Sequence, residues 1–252
     1  MTINSRINRF FSLLLAGAVF VAGGCIGDPY EVCPEEARVR IERDDARIWP
    51  PVVHTGFNGR DTFLAPISTN FVVDEWTTAN VRTASVSGYP ICGTPSISDP
   101  AGLVVAEGAG MTQVTARALD INDSPFTLNV DIVVESYTEE DTDLGEERYR
   151  TGEPAVADRI PCASCHEAAG GVDHTPLEMA YHDDAAILMA TKDGKYPDFC
   201  TDALGVQCTC GEVGCDNVSP GYVLQGPHQW NLTPDEERAI VAFMRSLRPR
   251  GI

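Results

Sequence analysis

A five-residue segment with two cysteines and a histidine constrains the fold of this chain more than any other feature. Cys162 and Cys165 are separated by two residues, and His166 follows the second cysteine directly. C-x-x-C-H is the attachment motif of covalent haem, because two thiols at this spacing can form thioethers with both vinyl groups of one porphyrin. The adjacent imidazole is then held beneath the iron as an axial ligand. The motif predicts one covalent haem c on Cys162 and Cys165, with His166 as the proximal ligand.

Two other roles of the C-x-x-C pair stay open. A thioredoxin-like redox pair needs a strand–helix–strand context, and no such pattern precedes Cys162. A zinc site would draw its remaining thiolates from the cysteines between residues 200 and 215. Exported proteins seldom keep open thiolate sites, because their compartment favours disulfides.

The first 24 residues carry the pattern of an export signal. Two arginines precede an apolar run, Phe10–Ala22, which suits a signal-peptide core and is too short to span a bilayer. Small residues then lead to Cys25, and this segment resembles the lipobox of bacterial lipoproteins. Ordinary cleavage, with Cys25 as a plain thiol, is the alternative. We expect a signal peptide over 1–24 and a lipid anchor on Cys25. Ile26 after that cysteine favours the outer membrane, with the periplasmic or surface face left open.

The charge of the chain excludes one class of partner. Its 37 acidic residues outnumber 18 basic ones, and the formal net charge is −19. A nucleic-acid binder needs a basic face for phosphates, so we expect no nucleic acid as a partner. An acidic surface steers encounters toward basic proteins, so we expect a redox partner with a basic docking face. Contact with the membrane is expected through the lipid anchor.

An acidic segment marks the expected boundary between two domains. Residues 138–147 contain the run EEDTDLGEE, which is typical of a solvated linker or an exposed helix start. Residues 25–137 before it are rich in β-branched residues, glycine and proline. Residues 148–252 after it are richer in alanine and in helical patterns. Strand-like alternation occurs in four segments of the front half: 38–43, 62–73, 111–118 and 128–134. Short strands at this spacing predict an all-β sandwich over 25–137.

Three stretches of the front half resemble bacterial Ig-like domains of the BIG2 type. They are residues 75–86, 102–106 and 110–116. The resemblance implies an Ig-like β-sandwich that acts as a spacer or an adhesion module. This chain carries an extra loop that contains Cys92, and a disulfide between Cys92 and Cys33 is expected, with two unrelated thiols as the alternative.

The C-terminal part, about 144–252, resembles class I cytochromes c. The resemblance lies in the C-x-x-C-H motif, in the glycine and aromatic positions Gly145 and Tyr149, and in a last helix over 231–247. It implies an all-α cytochrome c fold for the haem domain, 148–252. It also implies that the first and last helices cross at Gly145, Tyr149 and Phe243.

Two helices of this part are also predicted directly from their residues. Thr233 is a good N-cap, Pro234 suits the first helical position, and Glu236 completes a capping box. The apolar stripe that follows predicts an amphipathic helix. A second helix is expected over 183–195, ending in a Gly-Lys turn.

The same resemblance implies further residues around the haem. The family uses a proline carbonyl about ten residues after the proximal histidine to accept its N–H, and Pro176 stands at that place; a simple turn proline is the alternative. The family's methionine ligand is missing before the last helix, and His228 holds its position. His166/His228 ligation is therefore expected, with a lower reduction potential than a His/Met pair. Trp230 can cover the haem edge or seal the core. Rivals for the sixth position are an open site or one of five side chains: His174, Met179, His182, Met189 and Met244.

Four further cysteines lie in a segment that lacks helical or strand periodicity. They are Cys200, Cys208, Cys210 and Cys215. In an oxidising compartment they are expected to form two disulfides, and the three possible connectivities stay open.

These features predict an electron carrier, not an enzyme. The expected function is that of a single-haem c-type cytochrome lipoprotein that transfers one electron at a time in the cell envelope. The sequence contains one C-x-x-C-H motif and no evident pairing of a nucleophile with a base. Two alternatives stay open: a haem module that binds or senses a small gas, and a surface adhesion protein with an accessory haem.

Overall fold

Two four-stranded β-sheets form the front half of the chain. The structure is a computed structural model, and it describes residues 40–88, 101–152, 161–167, 174, 176–195, 199–201, 207–208, 217–219 and 230–248. The strands are β1 (Ile48–Trp49), β2 (Val52–Phe57), β3 (Leu64–Thr69), β4 (Glu75–Thr78), β5 (Ala84–Gly88), β6 (Ala101–Ala106), β7 (Gly110–Leu119) and β8 (Pro125–Ser136). One sheet has the order β1-β3-β6-β5, and the other has the order β2-β8-β7-β4.

The pairing of β2 sets its sheet apart from a simple antiparallel arrangement. β7 and β8 form an antiparallel ladder in which Val114 lies opposite Val130. β2 lies on the other side of β8 and runs parallel to it, with Val53 opposite Ile132. The edge of this sheet is therefore formed by pairing β2 with β8, two strands that are far apart in sequence.

The two sheets bury their facing side chains in a shared core. Along β7, Val114, Ala116 and Ala118 are buried and alternate with more exposed residues, as the two-residue period of a strand requires. Val104 of the first sheet and Ile132 of the second belong to the same apolar cluster. Complete burial of one such valine or isoleucine contributes about 1.5–3 kcal/mol.

The predicted strand over 38–43 is not a strand in its described part. Residues 40–42 are irregular, and Arg43–Asp45 form a single 3-10 turn. The carbonyl of Ile41 accepts a hydrogen bond from the Ile121 amide at 3.3 Å. Ile121 lies in the turn between β7 and β8, so this segment contacts the tip of a hairpin and not the length of a strand.

Helices and three short strands make up the described C-terminal half. They are α1 (Glu139–Thr151), α2 (Ala163–His166), α3 (Pro176–Tyr181), α4 (Asp184–Asp193), β9 (Phe199–Thr201), β10 (Gln207–Cys208), β11 (Asn217–Ser219) and α5 (Pro234–Ser246). The capping box of Thr233 and Glu236 at α5 is confirmed. The helix expected over 183–195 is α4, which ends at left-handed Gly194. The acidic segment 138–147 provides the cap and the first turns of α1.

The expected fold class, an all-β Ig-like sandwich followed by an all-α cytochrome c domain, is wrong. The described part of the chain is mixed α/β, and the region 148–252 itself contains a three-stranded antiparallel sheet in the order β10-β9-β11. Residues 199–219 lack helical periodicity, and their short strands satisfy backbone hydrogen bonds by pairing with one another.

The helices also do not build a core of their own. Met179 and Ala180 of α3 and Ile240 of α5 belong to the same buried cluster as Val53 of β2. Trp49 of β1 stacks on Tyr181 of α3, with ring centroids 4.8 Å apart. Sheets and helices therefore share one core. Within the described ranges, no helix has the length and apolar character needed to cross a bilayer.

Candidate functional site

The C-x-x-C-H segment folds into one helical turn, α2. The amides of Cys165 and His166 both donate to the carbonyl of Cys162, at 3.1 and 2.9 Å, and the amide of Glu167 donates to Ala163 at 3.0 Å. Residues four apart lie on the same side of a helix. The turn therefore presents Cys162 and His166 on one side, with Cys165 next to the imidazole in sequence.

The two thiols of this turn differ in burial. Both are free cysteines; Cys162 is half-buried and Cys165 is exposed. Cys162 packs against the main apolar cluster. Burial raises the pKa of the Cys162 thiol to about 12, so this side chain is protonated at neutral pH.

The imidazole of His166 packs face to face with a second histidine. The ring centroids of His166 and His174 are 3.6 Å apart, and the ring planes are inclined by 23°. The Tyr149 hydroxyl and Nδ1 of His174 form a hydrogen bond of 3.3 Å. These contacts connect the helical turn to α1 through two aromatic side chains.

Tyr149 is fixed where α1 crosses α5. It is 1% exposed, and its ring centroid lies 5.1 Å from that of Phe243. A Cβ atom at Gly145, one turn earlier, would lie 1.9 Å from the carbonyl oxygen of Ala239. Only glycine permits this close approach, and the expected crossing at Gly145, Tyr149 and Phe243 is confirmed. Burial raises the pKa of Tyr149, and the neighbouring Cys162 raises it further.

An exposed ion-pair network also joins α1 to the end of α2. Arg150 of α1 contacts Glu146 and Glu167, each at 2.9 Å. All three side chains are close to half exposed, so each pair contributes at most about 1 kcal/mol. The network orients the C-terminal end of the turn more than it stabilises the fold.

Of the other predicted site residues, some lie within the described part of the chain and the rest lie outside it. Trp230 is 4% exposed, and its amide donates to the Thr191 carbonyl at 3.1 Å, which ties the segment before α5 to α4. Pro176 is the first residue of α3. Cys200 of β9 and Cys208 of β10 occupy directly opposite register positions. The remaining predicted residues lie outside the described part of the chain: Cys25, Cys33, Cys92, Cys210, Cys215 and His228.

The rivals for the sixth ligand position are spread over the described helices. Met179 and Met244 are each 5% exposed and belong to the apolar core. His182 is 8% exposed, and Met189 lies on the surface of α4 at 38% exposure. Within the described residues, no group of three or more histidine, cysteine, aspartate or glutamate side chains is arranged to hold a metal ion.

Sequence reasoning missed the buried arginine of the last helix. Arg245 is 2% exposed and sits in an unbroken buried run, Ala239–Arg245. It donates to Asp184 and to the carbonyls of His54, Met179 and His182. The available signal was a charged residue within a run of apolar positions on a short helix. Sequence reasoning named His174 only as a rival for the sixth position and missed the stacking of its ring on that of His166.

No protein-family model matches the sequence, and no curated protein matches it. The prediction that the chain joins a class I cytochrome c domain to a bacterial Ig-like domain is wrong. It is overturned by the mixed α/β architecture and by the lack of a metal-holding group among the described residues. The local motif and its geometry have to be interpreted without a family.

Proposed function

We propose that the chain carries one covalent haem on Cys162 and Cys165 and transfers single electrons in the cell envelope, with His166 as an axial ligand. The observation that supports this most is the α2 turn, which presents two free thiols and an imidazole within one helical turn. These donors fit the group, because two thioethers and one nitrogen ligand are what a covalently held haem takes from a protein. When bound, haem iron supplies the one-electron couple.

The residues around the turn have separate roles in this proposal. Cys162 is embedded against the apolar cluster and fixes one side of the attachment, while exposed Cys165 leaves the other side accessible. Cys162 packs against the buried cluster that contains Tyr149 and Phe243, and this cluster would exclude water from that side of the turn. The pair of Arg150 with Glu167 holds the end of the turn against α1.

The proposal also includes a second ligand, a protein partner and a membrane anchor. His228 is proposed as the second axial ligand, with Pro176 and Trp230 supporting the site. The formal net charge of −19 supports a redox partner with a basic docking face and argues against nucleic acid. The apolar run before Cys25 supports export and a lipid anchor on that cysteine.

The haem proposal is tested on the full chain, produced in a host that attaches haem covalently. We expect a haem that stays with the denatured polypeptide and adds the mass of one haem to the mature chain. Cys162→Ser with Cys165→Ser removes it, while Cys208→Ser, a cysteine outside the motif, leaves it in place. A wild-type chain without covalent haem overturns the proposal. A haem that binds carbon monoxide in the ferrous state overturns the His228 assignment and favours gas binding.

The anchor is tested separately, by fractionation of cells that express the chain. We expect the wild-type protein in the membrane fraction and the Cys25→Ser variant outside it. Cys33→Ser is the matched control, because it removes a nearby cysteine without touching the lipobox. Equal membrane retention of all three proteins overturns the lipid anchor.

A further inference from the structure

The stacked pair of imidazoles gives the candidate site a feature that a C-x-x-C-H motif does not contain. His166 and His174 face each other at 3.6 Å between ring centroids, with 23° between the planes. A contact of this kind fixes the direction in which the His166 ring plane points. The orientation of the ring is therefore set by the protein and not by the motif alone.

His174 is itself held by the buried side chain of Tyr149. Its Nδ1 bonds to the Tyr149 hydroxyl at 3.3 Å, and the Tyr149 ring meets the His174 ring edge-on at 5.8 Å. Tyr149 in turn packs on Phe243 where α1 crosses α5. A continuous chain of contacts thus runs from the crossing of two long helices to the imidazole of His166.

The stacking also excludes His174 as the axial ligand opposite His166. Two ligands on opposite sides of a metal direct ring nitrogens toward it, so their ring faces do not lie against each other. The faces of His166 and His174 are in contact. His174 therefore supports its neighbour from the side.

We propose that His174, anchored by Tyr149, is a positioning residue that fixes the ring plane of the haem ligand His166. This inference rests on the proposed covalent haem. A neighbour that holds a ligating histidine tunes the metal through ligand orientation and basicity. Its loss is expected to alter the electronic properties of the haem without preventing attachment to the two thiols.

The test compares variants of the full chain after covalent haem attachment. In His174→Ala, we expect a broadened ferric electron paramagnetic resonance signal and a shifted midpoint potential, because the His166 ring is no longer held. His174→Phe keeps an aromatic ring beside His166 and restores the signal. Tyr149→Phe keeps the packing on Phe243, removes the bond to His174, and gives a smaller broadening.

The controls separate this inference from the proposed function. Ser164→Ala changes an exposed residue of the same turn and leaves signal and potential as in the wild type. Covalent haem with an unchanged signal in His174→Ala and Tyr149→Phe overturns the positioning role and leaves the proposed function standing. A broadened signal in His174→Ala that His174→Phe does not restore also overturns it. A wild-type chain that carries no covalent haem overturns the proposed function, and the positioning role with it.

Discussion

Arg245 of α5 donates two hydrogen bonds to a single carboxylate oxygen of Asp184 at the start of α4, from Nε at 2.9 Å and from Nη2 at 2.6 Å. The same guanidinium donates to the carbonyl of His54 on β2 at 3.0 Å. The other oxygen of Asp184 accepts a bond from the Tyr137 hydroxyl at 2.8 Å. One buried cation therefore joins a sheet, two helices and the segment that enters α1.

Arg245→Met is expected to destabilise the full chain by about 3–5 kcal/mol, because it leaves Asp184 and several carbonyls without their buried donor. The measurement is the free energy of unfolding in urea. Arg238→Met is the control on the same helix, since Arg238 is half exposed in its pair with Asp141 and is expected to contribute about 1 kcal/mol or less. Equal losses in the two variants contradict the central role of Arg245.

Gly145→Ala is expected to cost about 3 kcal/mol or more, because the new methyl group would meet the Ala239 carbonyl at 1.9 Å and force α1 away from α5. Thermal unfolding of the full chain measures the loss. Glu147→Ala, at an exposed position of the same helix, controls for helix propensity and is expected to change stability by less than about 0.5 kcal/mol. A Gly145→Ala protein as stable as the wild type would show that α1 can move away from α5 without a loss of stability.

Stability is expected to fall as the pH drops from about 6.5 toward 4. Burial, and after it the positive charge of nearby Arg245, lower the pKa of His182 to about 4. Burial also lowers the pKa of His54. The unfolded chain, with histidine pKa values of about 6.5, then binds more protons than the folded one, so acid favours unfolding.

The contribution of His182 to this pH dependence is at most about 3 kcal/mol, present above pH 6.5 and lost progressively on acidification. Urea midpoints measured between pH 7.5 and 4.5 report the slope. Carboxylates contribute a slope of their own at the acid end, so the diagnostic comparison is with His182→Gln. A shallower slope in that variant is the expected result, and parallel curves for the two proteins contradict it.

The C-terminal half is expected to depend on the sheets for its stability. Met179 and Ala180 of α3 are buried against β2 and β3. Residues 138–252 expressed alone expose these side chains and are expected to melt at a lower temperature than the full chain, or to associate. Size-exclusion chromatography and thermal melts of both proteins measure this. A fragment that is monomeric and equally stable shows that the halves are independent domains, as the sequence analysis expected.

Local signals in the sequence predicted elements well where they do not depend on distant partners. The capping box of Thr233 and Glu236 locates the start of α5, because the two hydrogen bonds between these residues form within one helical turn. The alternation in β7 and β8 locates two strands because one face of each is buried. The segment 38–43 has the same alternation, but its described residues, 40–43, form no strand and meet a hairpin tip.

The features that sequence reasoning missed depend on tertiary contacts. The burial of Arg245 follows from the carbonyls that surround it, which come from β2, from α3 and from His182 directly after α3. The stack of His166 on His174 follows from the position of Tyr149 at the helix crossing. The assignment of a whole family failed because short motifs such as C-x-x-C-H specify local chemistry and can be carried by different folds.

The parallel pairing of β2 with β8 has a consequence for the order in which the molecule can assemble. Val52 pairs with Asp131, and the bond from Arg245 to the His54 carbonyl joins residues 191 positions apart. Contacts of such high sequence separation close late and slow the folding of a chain. During synthesis the sheet edge formed by β2 therefore stays open until β8 has emerged, and the hydrogen bond from Arg245 to this strand forms only after the last helix has followed. Nascent chains that stop before α5 are expected to present this edge to proteases and to one another.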